Sequence, residues 1–146
     1  MSNVSVRTQA FDPWQVLADY QAASGLATGS FGATAVFVGT MRDFNEGDSV
    51  QSMVLEYYPG MTESYLEKIS EEARVRWELC DSLIVHRAGE LQPGDPIVLV
   101  VVWSAHRKAA FEASRWLMEE LKSKAPFWKK EQLADASRWV EKNTLG

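Results

Sequence analysis

From Ser104 to Glu131 the chain reads SAHRKAAFEASRWLMEELKSKAPFWKKE, and this stretch limits the fold more than any other. Ala109, Ala110, Ala113, Trp116, Leu117 and Leu121 recur at spacings of three and four, which marks a helix with one buried stripe. The predicted helix runs about four turns, and Pro126 bars its continuation. Immediately before it, Ile97 to Trp103 is an unbroken apolar run of seven residues, read as a strand buried on both faces. Cationic groups stand at the start of the helix (His106, Arg107), near its end (Lys122) and just beyond it (Lys129, Lys130). Such a placement suits the holding of an anion.

The other elements follow from local signals. Ser5 to Ala10 is read as a short edge strand. Asp12-Pro13-Trp14-Gln15 opens a helix to about Ala23, with Asp12 as N-cap, Pro13 at the first helical position and Gln15 closing a capping box. Phe31 to Thr40 is a strand, followed by Met41-Arg42 and a polar loop through Asn45, Gly47 and Asp48. Val50 to Tyr57 is expected to return as its neighbouring strand. After Pro59-Gly60, the spacing of Met61, Tyr65, Ile69, Ala73 and Trp77 predicts a long helix. Ser82 to Ala88 is a strand, Gly89 to Asp95 a turn, and Phe127–Gln132 with Arg138–Glu141 a final strand pair. Strands and helices mix without strict βαβ alternation, so the expected class is α+β: one domain over residues 1–146, a mixed or antiparallel sheet with packed helices. Residues 1–10 and 143–146 are expected to be loosely ordered.

Charge narrows the function classes. The net charge is -5, yet Ser104 to Lys142 carries nine Lys/Arg against six Asp/Glu, leaving six against fourteen elsewhere. An acidic chain is poorly suited to nucleic acid, which demands broad phosphate neutralisation. A local basic site for one small anion fits better. The longest apolar run is too short for a bilayer, the first residues lack a signal core, and a single cysteine suits a reducing compartment. The expectation is a cytoplasmic protein without membrane contact, resident metal or cofactor.

Each cationic residue also has a plain structural reading. His106 and Arg107 could simply cap or pack the helix start, although cations there oppose the helix dipole by about 0.3–1 kcal/mol each. Lys122 sits where a helix end welcomes positive charge. Lys129 and Lys130 alternate on a strand, so at least one faces solvent. Arg42 follows a strand end, a usual place for ligand contacts. Phe127 and Trp128 are either core aromatics or a surface for a partner's tail.

The segments FVGTMRDFNEGDSV, LEYYPGMTE, IVHRAGELQPGD, WSAHRKAAFEAS and LKSKAPFWKKE together resemble the large, catalytic subunit of molybdopterin synthase, over about Phe31 to Val140. The resemblance implies an α/β hammerhead type of fold. It also implies sulfur transfer to cyclic pyranopterin monophosphate, giving the dithiolene of molybdopterin. The donor would be the C-terminal Gly-Gly thiocarboxylate of a small ubiquitin-like subunit, with a homodimer of the large subunit at the centre of a heterotetramer. Carried over by position, the substrate pocket falls on Thr40, Met41, Arg42, His106, Arg107, Lys122, Lys129, Lys130 and Glu131, with Lys122 and Lys129 as the catalytic pair. Thr40 stands where the family often has a basic residue. A further basic group is expected from Arg138 or Lys142.

Substrate and tail are both anionic, so a cationic pocket can hold them together, and Lys or Arg can stabilise oxygen charge that develops as sulfur attacks. Lys122 takes that role or proton transfer, Lys129 and Arg42 bind anion, and His106-Arg107 take the phosphate. Arg107 and Lys122 lie roughly 22 Å apart along a continuous helix, so a pocket using both is completed by a second copy. Cys80, flanked by Glu78 and Asp81, is read as buried and structural rather than as a sulfur carrier. Two other function classes remain in view. One is a non-catalytic module for a phosphorylated metabolite, the other an adaptor that only binds a ubiquitin-like tail.

Overall fold

The computed structural model describes residues 2–45, 47–134 and 136–140. Its centre is β8 (Pro96–Ser104), whose side chains alternate between two cores. Val98, Val100 and Val102 face one core with Leu66, Ile69, Ala73, Leu117 and Leu121, while Leu99, Val101 and Trp103 face the other with Phe11, Tyr20, Leu83 and Val85. A strand covered on both faces has no room for polar side chains, which explains the unbroken apolar run.

In chain order, β1 (Val4–Arg7) leads to α1 (Pro13–Ala23) and β2 (Ala33–Thr40). A small hairpin of β3 (Phe44–Asn45) and β4 (Asp48–Ser49) precedes β5 (Ser52–Tyr57) and α2 (Met61–Trp77). Then come β6 (Asp81–Arg87), β7 (Gly89–Leu91), β8, α3 (Arg107–Lys124), β9 (Phe127–Gln132) and β10 (Ser137–Trp139). One sheet has the order β1-β6-β8-β2, with β1 parallel to β6 and the other pairs antiparallel; α2 and α3 cover one face and α1 the other. A second, antiparallel sheet has the order β10-β9-β5-β7. The α+β expectation holds, as does the continuous helix of the basic stretch.

The helix ends behave as their residues demand. Asp12 Oδ1 accepts from Trp14 N–H at 3.0 Å and Gln15 N–H at 3.4 Å, but Gln15 turns its amide to Asp19, so the reciprocal half of the capping box is absent. At α2, Glu63 Oε1 accepts from Gly60 N–H at 2.9 Å, and Gly60 at φ 86° takes a conformation that disfavours a side chain.

Three expectations need correction. Val50–Tyr57 does not return beside β2; the β3–β4 hairpin carries the chain across to the second sheet, where β5 pairs with β7 and β9. Strand pairing is non-local, and alternation alone does not say which strand lies alongside. Gly89–Leu91, read as part of a turn, is a strand, because buried Leu91 packs into a third core with Met41, Met53, Leu55 and Ile97. The N-terminal edge strand, expected over Ser5–Ala10 within a loosely ordered stretch, is Val4–Arg7, hydrogen-bonded in register with Ile84–Arg87. Glu141 and Lys142 lie outside the described residues. No helix among the described residues is long and apolar enough to cross a membrane.

Candidate functional site

The two sheets meet where β2 ends. Its pairing with β8 shifts at Gly39/Thr40, a bulge that turns the chain out of the sheet. Gly39 is required there, since a Cβ would lie 2.9 Å from Val98 Cγ1 and 3.3 Å from the Phe37 ring. Past the bulge, Met41 N–H donates to Asp95 O at 2.9 Å and Met41 O accepts from Gly94 N–H at 2.8 Å. Met41 is thereby buried, while Arg42 stands exposed with its guanidinium 4.9 Å over the Phe44 ring.

Opposite this corner, the last turn of α3 supplies Lys122 and β9 supplies Lys129 and Glu131. These groups, with Thr40, Met41, Arg42, Asn45 and Met53, line a cavity of about 220 Å³. The alternation of β9 sorts its charges: Lys129 and Glu131 face the cavity, while Trp128 and Lys130 face out. Lys130 Nζ lies 5.5 Å over the Trp139 ring and Trp128 packs edge-on to Tyr58 at 4.6 Å. Phe127 belongs to the core side, packed on Tyr57 and on the ring of His86.

Two ammonium groups so close together are costly. Burial pushes the Lys129 pKa down to about 7, helped by the charge of Lys122 and by the hydrogen bond between the two amines; Glu131 opposes the effect. Glu131 is itself buried, accepting from Asn45 Nδ2 at 3.0 Å and Arg138 Nε at 3.0 Å. Arg138 continues to Asp48 Oδ2 at 2.7 Å and to Asn45 O at 2.9 Å. This network ties β9, β10 and the β3–β4 hairpin together beside the cavity, so Arg138 acts here as a structural tie.

His86 on β6 adds a group that sequence reading passed over. It is buried beside the lysines, and burial, with the charges of Lys129 and Lys122, pushes its pKa down to about 3. The available signal was a histidine inside a strand of otherwise buried residues. Among the described residues, no three His, Cys, Asp or Glu side chains gather as a metal set.

Thr40, Met41, Arg42, Lys122, Lys129 and Glu131 therefore converge, whereas His106, Arg107 and Lys130 do not reach the cavity within this chain. His106 is the N-cap of α3 and both it and Arg107 are exposed at the far end of that unbroken helix from Lys122. Cys80, read as buried, is exposed at the head of β6, its Sγ 3.6 Å from Ser30 O. It precedes the strand rather than lying within its apolar run, so neither face of the sheet covers it. Six residues of strand, about 20 Å, separate it from His86.

The family model described as "MoaE protein" matches residues 6–124. The molybdopterin synthase catalytic subunit of Pseudomonas aeruginosa is 51% identical over 138 residues, covering 94% of this chain and 89% of that protein. The crystal structure of molybdopterin synthase from Staphylococcus aureus is similar with a TM-score of 0.84 at 31% identity, covering 97% and 99% of the two chains. A complex of subunits 1 and 2 of molybdopterin-converting factor from Helicobacter pylori shares the fold, with a TM-score of 0.79 at 23% identity over 98% and 93% of the chains.

Proposed function

The chain belongs to the MoaE protein family, that of molybdopterin synthase catalytic subunits, and from that membership we propose that its lysine-lined cavity is a sulfur-transfer site. The substrate is cyclic pyranopterin monophosphate. The sulfur comes from the C-terminal Gly-Gly thiocarboxylate of a small ubiquitin-like subunit. Two thiocarboxylates are spent for each dithiolene, and each leaves a carboxylate on its carrier. The reaction belongs to the cytoplasm.

The observation that carries this reading is the convergence of Arg42, Lys122 and Lys129 on one cavity between the sheets. A low-dielectric recess with fixed cations favours bringing two anions together and strengthens their hold on developing oxygen charge. Lys122, at the mouth of the α3–β9 turn, stabilises that charge or moves a proton at the reacting carbon; Lys129 and Arg42 hold the anions. Glu131 lines the cavity and supports its wall through Asn45 and Arg138. A partner subunit is supported by the Helicobacter pylori complex of two subunits.

The phosphate site, His106-Arg107, is supplied by a second copy of the chain. Its distance from Lys122 along α3, roughly 22 Å, exceeds the reach of one pterin. The working unit is thus a homodimer with two sites, flanked by two small subunits. Lys122→Ala should abolish dithiolene formation while fold and dimer persist; near-normal turnover would sink the assignment. Mixed dimers of Arg107→Ala and Lys122→Ala chains should regain one intact site, and a failure to recover activity would count against sharing.

A further inference from the structure

We propose that His86 is a positioning residue for the lysine pair: its imidazole, anchored on both sides, presents an unprotonated Nε2 to Lys122 and Lys129. The proposal deepens the sulfur-transfer reading by naming what sets the orientation and charge of its two lysines.

The anchoring is geometric. His86 lies two residues beyond Ile84 on β6, so both side chains point to the core beneath α2 and α3. Its ring is stacked on Phe127, with centroids 3.9 Å apart and planes 19° apart. Its Nδ1 lies 2.8 Å from Arg87 O. A carbonyl oxygen only accepts, so Nδ1 must carry the proton. In a neutral imidazole the other nitrogen is then an acceptor. The ring is neutral because it is 5% exposed and the charges of Lys129 and Lys122 oppose a further proton on it.

His86 also lines a small cavity of about 60 Å³, shared with Leu121, Lys122, Ala125, Phe127 and Lys129. Lys122 and Lys129 thus form the partition between this cavity and the larger one. The larger cavity is also lined by Glu131 of β9, whose carboxylate already takes hydrogen bonds from Asn45 and Arg138. From α3 the group facing His86 is Lys122, and from β9 it is Lys129; both are donors when charged. An acceptor-only nitrogen beside two ammonium groups favours a proton on the lysine that donates to it, and turns that amine toward the partition. The same arrangement leaves the other N–H bonds of that amine for the larger cavity.

The consequence is measurable without substrate. A hydrogen bond to a charged group raises the pKa of the donor by about one unit or more. In His86→Phe, which keeps the ring stack and removes the acceptor, the lysine that titrates near neutrality should titrate about one unit lower. His86→Gln, whose side-chain oxygen can accept, should restore most of that shift. The readout is the 13Cε resonance of labelled lysine, followed against pH in the full chain without ligand. In parallel, 15N spectra of the wild-type imidazole should show Nδ1 protonated and Nε2 bare down to pH 5. A protonated Nε2 would overturn the proposal, as would a lysine titration unmoved in both variants. If His86→Phe does not fold, the wild-type tautomer and the His86→Gln titration still decide. Because none of these signals depends on sulfur transfer, loss of the transfer reading and loss of the positioning role remain separable. If both hold, the alkaline limb of kcat should move toward acid in His86→Phe and return in His86→Gln.

Discussion

Lys129 makes the stability of this chain depend on pH in a definite direction. Its ordinary pKa of 10.5 falls to about 7 in the folded state, through burial first and the neighbouring Lys122 second. Between those values the unfolded chain binds more protons than the folded one, so stability rises with pH across the interval. Below pH 7 the penalty is fully present. At about 1.4 kcal/mol per pH unit the gap corresponds to about 5 kcal/mol. Solvent reaching the partly exposed ammonium reduces this to about 2–3 kcal/mol. Lys129→Met keeps most of the length of the side chain and removes its charge. It should therefore be more stable than the wild type by about 2–3 kcal/mol at pH 6, and the difference should fall to less than half by pH 9.5. Urea unfolding followed by tryptophan fluorescence at several pH values gives both curves. Measurements should stop below pH 10, where Tyr20 and Tyr65, both raised by burial and by Asp81 or Glu120, begin to act in the opposite sense. A difference that stays constant or grows with pH would show that the buried Lys129 ammonium is not its source.

Further perturbations test the walls of the site. Gly39→Val should cost about 1–3 kcal/mol, because its side chain would press on Val98 and Phe37, and thermal unfolding would read it. Arg138→Ala should raise KM for the pterin and speed amide exchange in the Phe44–Ser49 hairpin, with little change in kcat, since it unties the hairpin's Asp48 from Glu131 of β9. Cys80→Ser should retain full transfer, the thiol lying exposed and far from the lysines; lost activity would bring a cysteine-bound sulfur back into the mechanism.

Much of this arrangement can be read from the sequence where a single element carries the message. The stripe of Ala110, Ala113, Leu117 and Leu121 makes α3 amphipathic, and the alternation of Lys129 with Lys130 assigns one lysine inward and one outward. The strand-end position of Arg42 likewise needs no partner to be recognised. Other features depend on contacts between distant segments. Nothing local distinguishes β5 as a neighbour of β9 rather than β2, because alternation sets the face of a strand but not its partner. His86 reads as one polar residue near a strand end until β9 brings Phe127 and Lys129 against it. Arg138 offers a guanidinium to the site in sequence, yet Glu131 and Asp48, seven and ninety residues away, take it up. The exposure of Cys80 was hidden because acidic neighbours speak to its reactivity and not to its burial.

The most direct measurement is a single turnover of the wild-type chain with cyclic pyranopterin monophosphate and a thiocarboxylated ubiquitin-like partner, weighing the carrier by mass spectrometry as dithiolene forms. Two thiocarboxylates should be converted to carboxylates for every dithiolene made. Pterin bound at the lysine cavity with the carrier's sulfur untouched would contradict sulfur transfer at this site.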